Sequence, residues 1–169
     1  NSDSSVISNI ILVSPDVDTQ DFERDATEEI LSGRRVRNDR RITVYASLND
    51  RALSISDGIH GYPRLGRPRC FDPFEAAKLK AKNLPERCYA AQPKYAEAID
   101  KLALTIVDTT AISRGRSGHS NYLLSAPACR DFAAVVNGER HPEGRVATHL
   151  PHVFVLPPIP KGEKPDHLA

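Results

Sequence analysis

Three short runs of almost unbroken apolar residues constrain this chain more than anything else in it: NIILVS at 9–14, RITVYAS at 41–47 and KLALTIVDT at 101–109. Each is short for a helix, and the first two end at turn signals, Pro15-Asp16 and Asn49-Asp50. A strand with one wet face alternates apolar and polar residues, whereas a run without alternation belongs to a strand covered on both faces, as in parallel sheets. Between the first two runs, Phe22, Ala26, Ile30 and Leu31 recur at helical spacing from Asp21 onward, with acids in the first turn and Gly33-Arg34-Arg35 at the end. Strand, helix, strand in that order predicts a parallel crossover. The fold class that follows is α/β, with three parallel strands and flanking helices.

The remaining elements fit around these strands. Ala52, Leu53, Ile55 and Ile59 predict a short helix over 51–60, stopped by Gly61-Tyr62-Pro63, and Gly, Pro and Arg make a loop up to Arg69. Asp72-Pro73-Phe74-Glu75 combines a capping acid, a proline at the first helical position and a glutamate three residues after the cap, so a helix opens there and runs to about Lys82. Ser125 caps a helix over 126–136 that buries Phe132, Val135 and Val136, closed by Asn137-Gly138. Beyond Gly138 the composition changes: six of the 13 prolines fall in 141–169. VFVL at 153–156 is expected as one edge strand in an otherwise extended, weakly ordered tail. The division is therefore a domain at 1–138 and a proline-rich tail at 139–169. The 169 residues leave no room for a second full core at roughly 150 residues per domain.

Composition narrows the partners. Lys+Arg 23 against Asp+Glu 22 gives a net charge of +1, so no global field draws the chain to nucleic acid or an anionic membrane, and no apolar run approaches the roughly 18 residues of a membrane span. The basic stretch GRRVRNDRR at 33–41 reads as a solvated helix end, because no aromatic residues interleave with it for base stacking. Cys70, Cys88 and Cys129 are an odd number lying far apart and read as ordinary thiols. Residues 1–9 lack the basic end and apolar stretch of a targeting peptide, which slightly favours the cytoplasm. The sequence has no Met, so Asn1 is expected to follow a processing or excision point within a longer protein. A strand of buried type at 9–14 points the same way: lying at the edge of three strands, it needs something upstream or a strand-pairing partner to cover it.

Open parallel sheets bind ligands at the carboxyl ends of their strands. Those ends carry Asp16 and Asp18, then Asn49 and Asp50, then the loop from Thr109 to His119. An aspartate that accepts the ring N–H of a histidine fixes its tautomer and stabilises the imidazolium, leaving the second nitrogen to take a proton from a nucleophile. Asp50 and His119 are the right types at the right topological places; equally, Asp50 is suited to cap the helix that starts at Arg51. A nucleophile is harder to find. Gly115-Arg116-Ser117-Gly118-His119 and Gly118-His119-Ser120-Asn121-Tyr122 each lack the final glycine of a Gly-x-Ser-x-Gly elbow, and about ten residues separate Ser120 from the third strand, where an elbow turns directly off it. His141, His149, His152 and His167 have no matched acids or cysteines and read as solvated rather than metal-binding. No phosphate loop, zinc motif or calcium loop is present, and nothing calls for a cofactor or metal.

ILVSPDVDTQDF, then RITVYASLNDRALSISDGIHGYPRLG, then TIVDTT with SGHSNYL, in that order, resemble the C-terminal half of a bacterial α/β-hydrolase family of the esterase/lipase superfamily, domain of unknown function 900. The similarity covers about 9–70 and 102–136, and the middle block is its most specific part. The resemblance implies that the three strands are the last three of a hydrolase sheet, that Asp50 is the triad acid, and that His119 is the triad histidine. Because chain order in that fold is Ser, acid, His, it also implies a nucleophile and oxyanion hole outside this chain, and a small ester or acyl substrate for the whole. Residues 72–100 depart from the family pattern as an enlarged segment, a possible lid or insertion. The expected function is the C-terminal portion of a serine hydrolase, inactive alone. The rival is a non-catalytic α/β interaction module or degenerate hydrolase fragment. A third reading is a self-contained esterase using Ser120 with a base drawn from His141, His149 or His152.

Overall fold

Strands form where the apolar runs lie: β1 (Asn9–Val13), β2 (Arg41–Ala46) and β3 (Leu104–Asp108), paired side by side and parallel. The computed structural model describes residues 9–22, 24–25, 41–67, 104–113, 119, 125–148 and 152–158. The predicted helix over 72–82 and the enlarged segment 72–100 lie outside these, as does most of the helix expected from Asp21. Residues 19–22 and 24–25 are helical, and that helix begins earlier than its periodicity suggested because Asp18 Oδ1 accepts the Gln20 and Asp21 backbone N–H groups at 2.8 and 3.1 Å.

Alternation of side chains along β2 builds two cores. Ile42, Val44 and Ala46 face one way, against Leu104, Ile106, Val153 and Leu65, with Leu12, Val17 and Phe22 packed on them. Tyr45 faces the other way, with Val107, Ile112, Ala128 and Leu156, covered by Phe132. Both faces of the sheet are therefore dry, which is why these strands show no polar alternation. Helix α1 (Arg51–His60) follows β2, and α2 (Ala126–Val136) covers the second core. Ser125 caps α2 as its sequence predicts, by accepting the Ala128 N–H. Of the three α2 residues expected in the core, Val135 is buried and Phe132 packs on the second core, but Val136 is exposed, because each residue of a helix is turned about 100° from the one before it. At the far end, Asn9 Nδ2 donates to Val135 O and Arg41 Nη1 to Gly138 O, so α2 runs antiparallel to the strands. Arg41 there also complements the negative end of the helix.

The sheet does not stop at three strands. β4 (Val146–Ala147) and β5 (Val153–Val155) extend it in the order β1-β2-β3-β5-β4. VFVL was expected at an edge, but β5 pairs parallel with β3 on one side and antiparallel with β4 on the other. Part of the stretch read as a weakly ordered tail is thus held in the sheet. A buried polar cluster fixes it there. The Arg145 guanidinium grips Asp131 with two hydrogen bonds, Nε to Oδ2 at 2.6 Å and Nη2 to Oδ1 at 2.9 Å, while the Tyr45 hydroxyl donates to Oδ1 at 2.6 Å. The guanidinium also lies over the Phe154 ring, 5.9 Å from its centroid. All three polar side chains are buried, so each must be satisfied by the others. The cluster joins β2, α2 and the approach to β4.

Two predictions follow from this packing. Burial, then the hydrogen bond to Asp131, hold the Tyr45 hydroxyl protonated far above the usual tyrosine range. The folded chain keeps a proton that the unfolded chain releases near pH 10, so the stabilisation is whole below about pH 10 and lost as pH rises beyond it. Urea unfolding should show Tyr45→Phe about 1 kcal/mol less stable at neutral pH and with a shallower alkaline loss; an alkaline slope equal to that of the wild type would contradict this. Gly66 gives the second prediction. A Cβ there would lie 2.6 Å from Ser14 C and 2.7 Å from Pro15 N, backbone atoms that cannot rotate away. Gly66→Ala should therefore cost about 1–3 kcal/mol in the same measurement, and an unchanged midpoint would refute the close approach.

Candidate active site

The carboxyl ends of the parallel strands gather Ser14 after β1, Ser47 after β2 and Thr109 after β3 at one end of the sheet. Short polar side chains stitch the loops together. Thr109 donates both its N–H and its hydroxyl to Ala46 O, at 2.8 and 2.9 Å, and Asp108 Oδ1 accepts the Thr110 N–H at 2.8 Å. Thr110 then accepts the Leu48 N–H at its hydroxyl and the Asn49 side-chain amide at its carbonyl, and Ser47 Oγ bonds Ser113 Oγ at 3.0 Å. The turn Ser47-Leu48-Asn49 is fixed on its neighbour before the chain reaches Asp50.

Asp50 is fully buried, and its carboxylate is divided between two partners. Oδ1 accepts the Leu53 N–H at 3.0 Å, making Asp50 the N-cap of α1. Oδ2 lies 2.7 Å from His119 Nδ1. The choice between helix cap and histidine partner therefore dissolves, because each oxygen serves one role. A buried carboxylate needs such partners on both oxygens to offset its lost hydration. The Asp50 side chain is 0% exposed and that of His119 is 46% exposed, so the imidazole bridges the interior and the solvent. With Nδ1–H donated to Asp50, Nε2 keeps its lone pair and is the nitrogen left to accept a proton from another group.

His119 is also held at its backbone, where its carbonyl accepts the Ser14 hydroxyl at 3.0 Å. Ser14 has φ 45, the left-handed region, and its N–H still continues the ladder to Tyr45 O. Gly66 supports this turn: its N–H donates to Pro15 O at 3.0 Å and its carbonyl accepts the Ser47 N–H at 2.9 Å. Asp57, buried near the end of α1, accepts the Arg64 N–H at Oδ1 and the Arg67 guanidinium at Oδ2, while Arg67 Nε reaches Leu48 O at 3.2 Å. The segment 64–67 thus braces both the β1 and β2 turns.

Other residues singled out in the sequence take structural places. Asp16 accepts from Ser56 and faces Arg64, Asp18 caps the helical residues from Thr19, and Asn49 bonds Thr110. Ser120, with both incomplete Gly-x-Ser motifs around it, lies outside the described residues, as do Cys70, Cys88, His149 and His167. Among the described residues no helix is long and apolar enough to cross a membrane. Ser14, Gly66 and the Ser47–Ser113 and Thr110 contacts were not anticipated. Only position directly after a strand marks Ser14 in the sequence, where the charged Asp16 and Asp18 are the stronger signals.

Comparison with known proteins adds one finding. No curated protein and no solved structure matches the sequence. Residues 1–140 match the family described as alpha/beta hydrolase of unknown function (DUF900). That span takes in β1, β2 and β3 with the turns that follow them, as well as α1, α2, Asp50 and His119. The chain belongs to the DUF900 family of α/β hydrolases.

Proposed function

We propose that this chain supplies the acid and the histidine of a Ser-Asp-His triad in a serine hydrolase acting on a carboxylic ester or related acyl bond. The observation that carries the reading is the 2.7 Å contact of Asp50 Oδ2 with His119 Nδ1, at the carboxyl ends of parallel strands and with the imidazole 46% exposed. Family membership supports hydrolysis as the general activity. The triad assignment is our inference from the chemistry of the pair.

In this mechanism Asp50 holds His119 in the tautomer whose Nε2 is unprotonated. Nε2 takes the proton of the serine hydroxyl as that oxygen attacks the acyl carbon, and the buried Asp50 carboxylate stabilises the resulting imidazolium. The imidazolium then returns the proton to the leaving alcohol. In deacylation the same nitrogen takes a proton from water as its oxygen attacks the acyl carbon, then returns that proton to the serine oxygen as the acyl–oxygen bond breaks and the acid is released. Asp50 stays ionised throughout. The serine is assigned to a segment outside these 169 residues, since no Gly-x-Ser-x-Gly occurs within them. The partner is accordingly a small ester or acyl substrate together with the nucleophile-bearing half, which would also cover the edge of β1.

A hydrolysis assay with a short activated ester tests this in two forms of the protein. The 169-residue chain should give no sustained turnover. When the same chain is joined to its nucleophile-bearing half, turnover should appear and should fall about ten-thousand-fold in Asp50→Asn, the loss expected when the histidine takes the wrong tautomer. Wild-type rates in that variant would refute the triad, and sustained Asp50-dependent turnover by the 169 residues alone would refute the external nucleophile. Labelling of Ser120 by a serine-directed phosphonate would instead favour the self-contained esterase.

A further inference from the structure

Ser14 combines three features that no backbone role explains together. It directly follows β1, which has a neighbour on one side only among the described residues, it occupies the left-handed region at φ 45, and its hydroxyl reaches 105 positions along the chain to the His119 carbonyl at 3.0 Å. A left-handed turn favours glycine, or else asparagine or aspartate, whose side chains can bond locally. Serine has a Cβ to accommodate and here sends its hydroxyl across to a distant loop. Strained residues of this kind persist where their surroundings over-determine them, and they cluster where the strain positions something. The surroundings do so here. The Ser14 N–H is fixed to Tyr45 O, Pro15 O is fixed by the Gly66 N–H, and Gly66 lies too close to Ser14 C to allow even a methyl group between them.

We propose that Ser14 is a positioning residue for His119. Its left-handed backbone aims the hydroxyl at the His119 carbonyl, so that the peptide is held from the end of β1 while the ring is held from the end of β2. The inference rests on the Asp50–His119 pairing of the proposed triad and extends it. One hydrogen bond from the His119 Nδ1–H to Asp50 leaves the histidine able to pivot about that contact. A second anchor on the main chain of the same residue removes this freedom and fixes the direction of Nε2 relative to the sheet. The two anchors come from neighbouring parallel strands, whose register pairs Val13 with Tyr45. Their spacing is therefore set by the sheet itself.

The test reads the histidine directly and needs no nucleophile. In the 169-residue chain at a pH where His119 is neutral, the ring ¹⁵N shifts report which nitrogen bears the proton, with His119→Ala assigning its signals among the six histidines. The wild type should hold His119 as the Nδ1–H tautomer. Ser14→Gly keeps the left-handed backbone and relieves its strain while removing the hydroxyl. It should retain or raise the melting temperature, yet lower the Nδ1–H to Nε2–H ratio about fivefold, the weight of one ordinary hydrogen bond. Ser14→Ala, which keeps the Cβ and lacks the hydroxyl, should lower the ratio to the same extent, separating the hydroxyl from the backbone freedom of glycine. A ratio unchanged in Ser14→Gly, with the wild type still in the Nδ1–H form and Asp50→Asn abolishing it, would overturn the role of Ser14 and leave the triad reading intact. A wild type in the Nε2–H form would overturn the Asp50 pairing and this proposal with it.

Discussion

The buried carboxylate of Asp50 must be satisfied twice, and much of this end of the molecule is arranged around that requirement. A charge removed from water is tolerated only with partners on its oxygens. One oxygen takes its partner from the first turn of α1 and the other from His119. The first partner fixes where the helix starts, and the second brings in a residue 69 positions away. A single side chain thereby couples the local geometry of a strand-to-helix turn to the long-range geometry of a site. The parallel ladder makes this possible, because β1, β2 and β3 end side by side and deliver their following residues to one place.

Polar groups in the two halves of the sheet do different work. Around the strand ends, serine and threonine hydroxyls tie loop to loop without charge, and Gly66 allows the β1 and β2 turns to meet backbone to backbone. On the α2 side, charge is buried whole: Arg145 and Asp131 neutralise each other and Tyr45 completes the set. That cluster lies on the α2 face of the sheet, apart from the turns around Asp50. It holds the last strands onto the sheet, and because every member is bonded it specifies one arrangement of α2 against β4 and β5. The exposed, one-sidedly bonded His119 is the contrasting case, since part of its bonding capacity is turned outward.

Much of this was legible in the sequence, for identifiable reasons. Buried parallel strands announce themselves as apolar runs, so β1, β2 and β3 could be placed within a few residues. Helix α1 was bounded by a capping acid and a glycine, Asp50 and Gly61, and the structure uses both, with Gly61 at φ 76. Asp50 and His119 stood out because strand ends are where chemistry collects and because the surrounding motif resembled a family. What escaped has equally physical causes. A three-residue strand such as β5 carries too little pattern to reveal its neighbours, so its place between β3 and β4 could not be read. Asp131 and Arg145 form their pair only once α2 and the turn after it are folded. Ser14 adopts a conformation its residue type does not advertise, because the mesh around it, rather than its own preference, sets its backbone.

The most direct test of this account is a double-mutant cycle on folding stability with Asp50→Asn and His119→Ala. Asparagine caps a helix as well as aspartate does, so the cycle isolates the contact at Oδ2 from the cap at Oδ1. A coupling of about 1–3 kcal/mol between the two positions is expected, as for residues in one hydrogen-bonded network. Effects that simply add, to within about 0.5 kcal/mol, would mean the carboxylate and the imidazole do not hold one another in solution, and the central claim would fail.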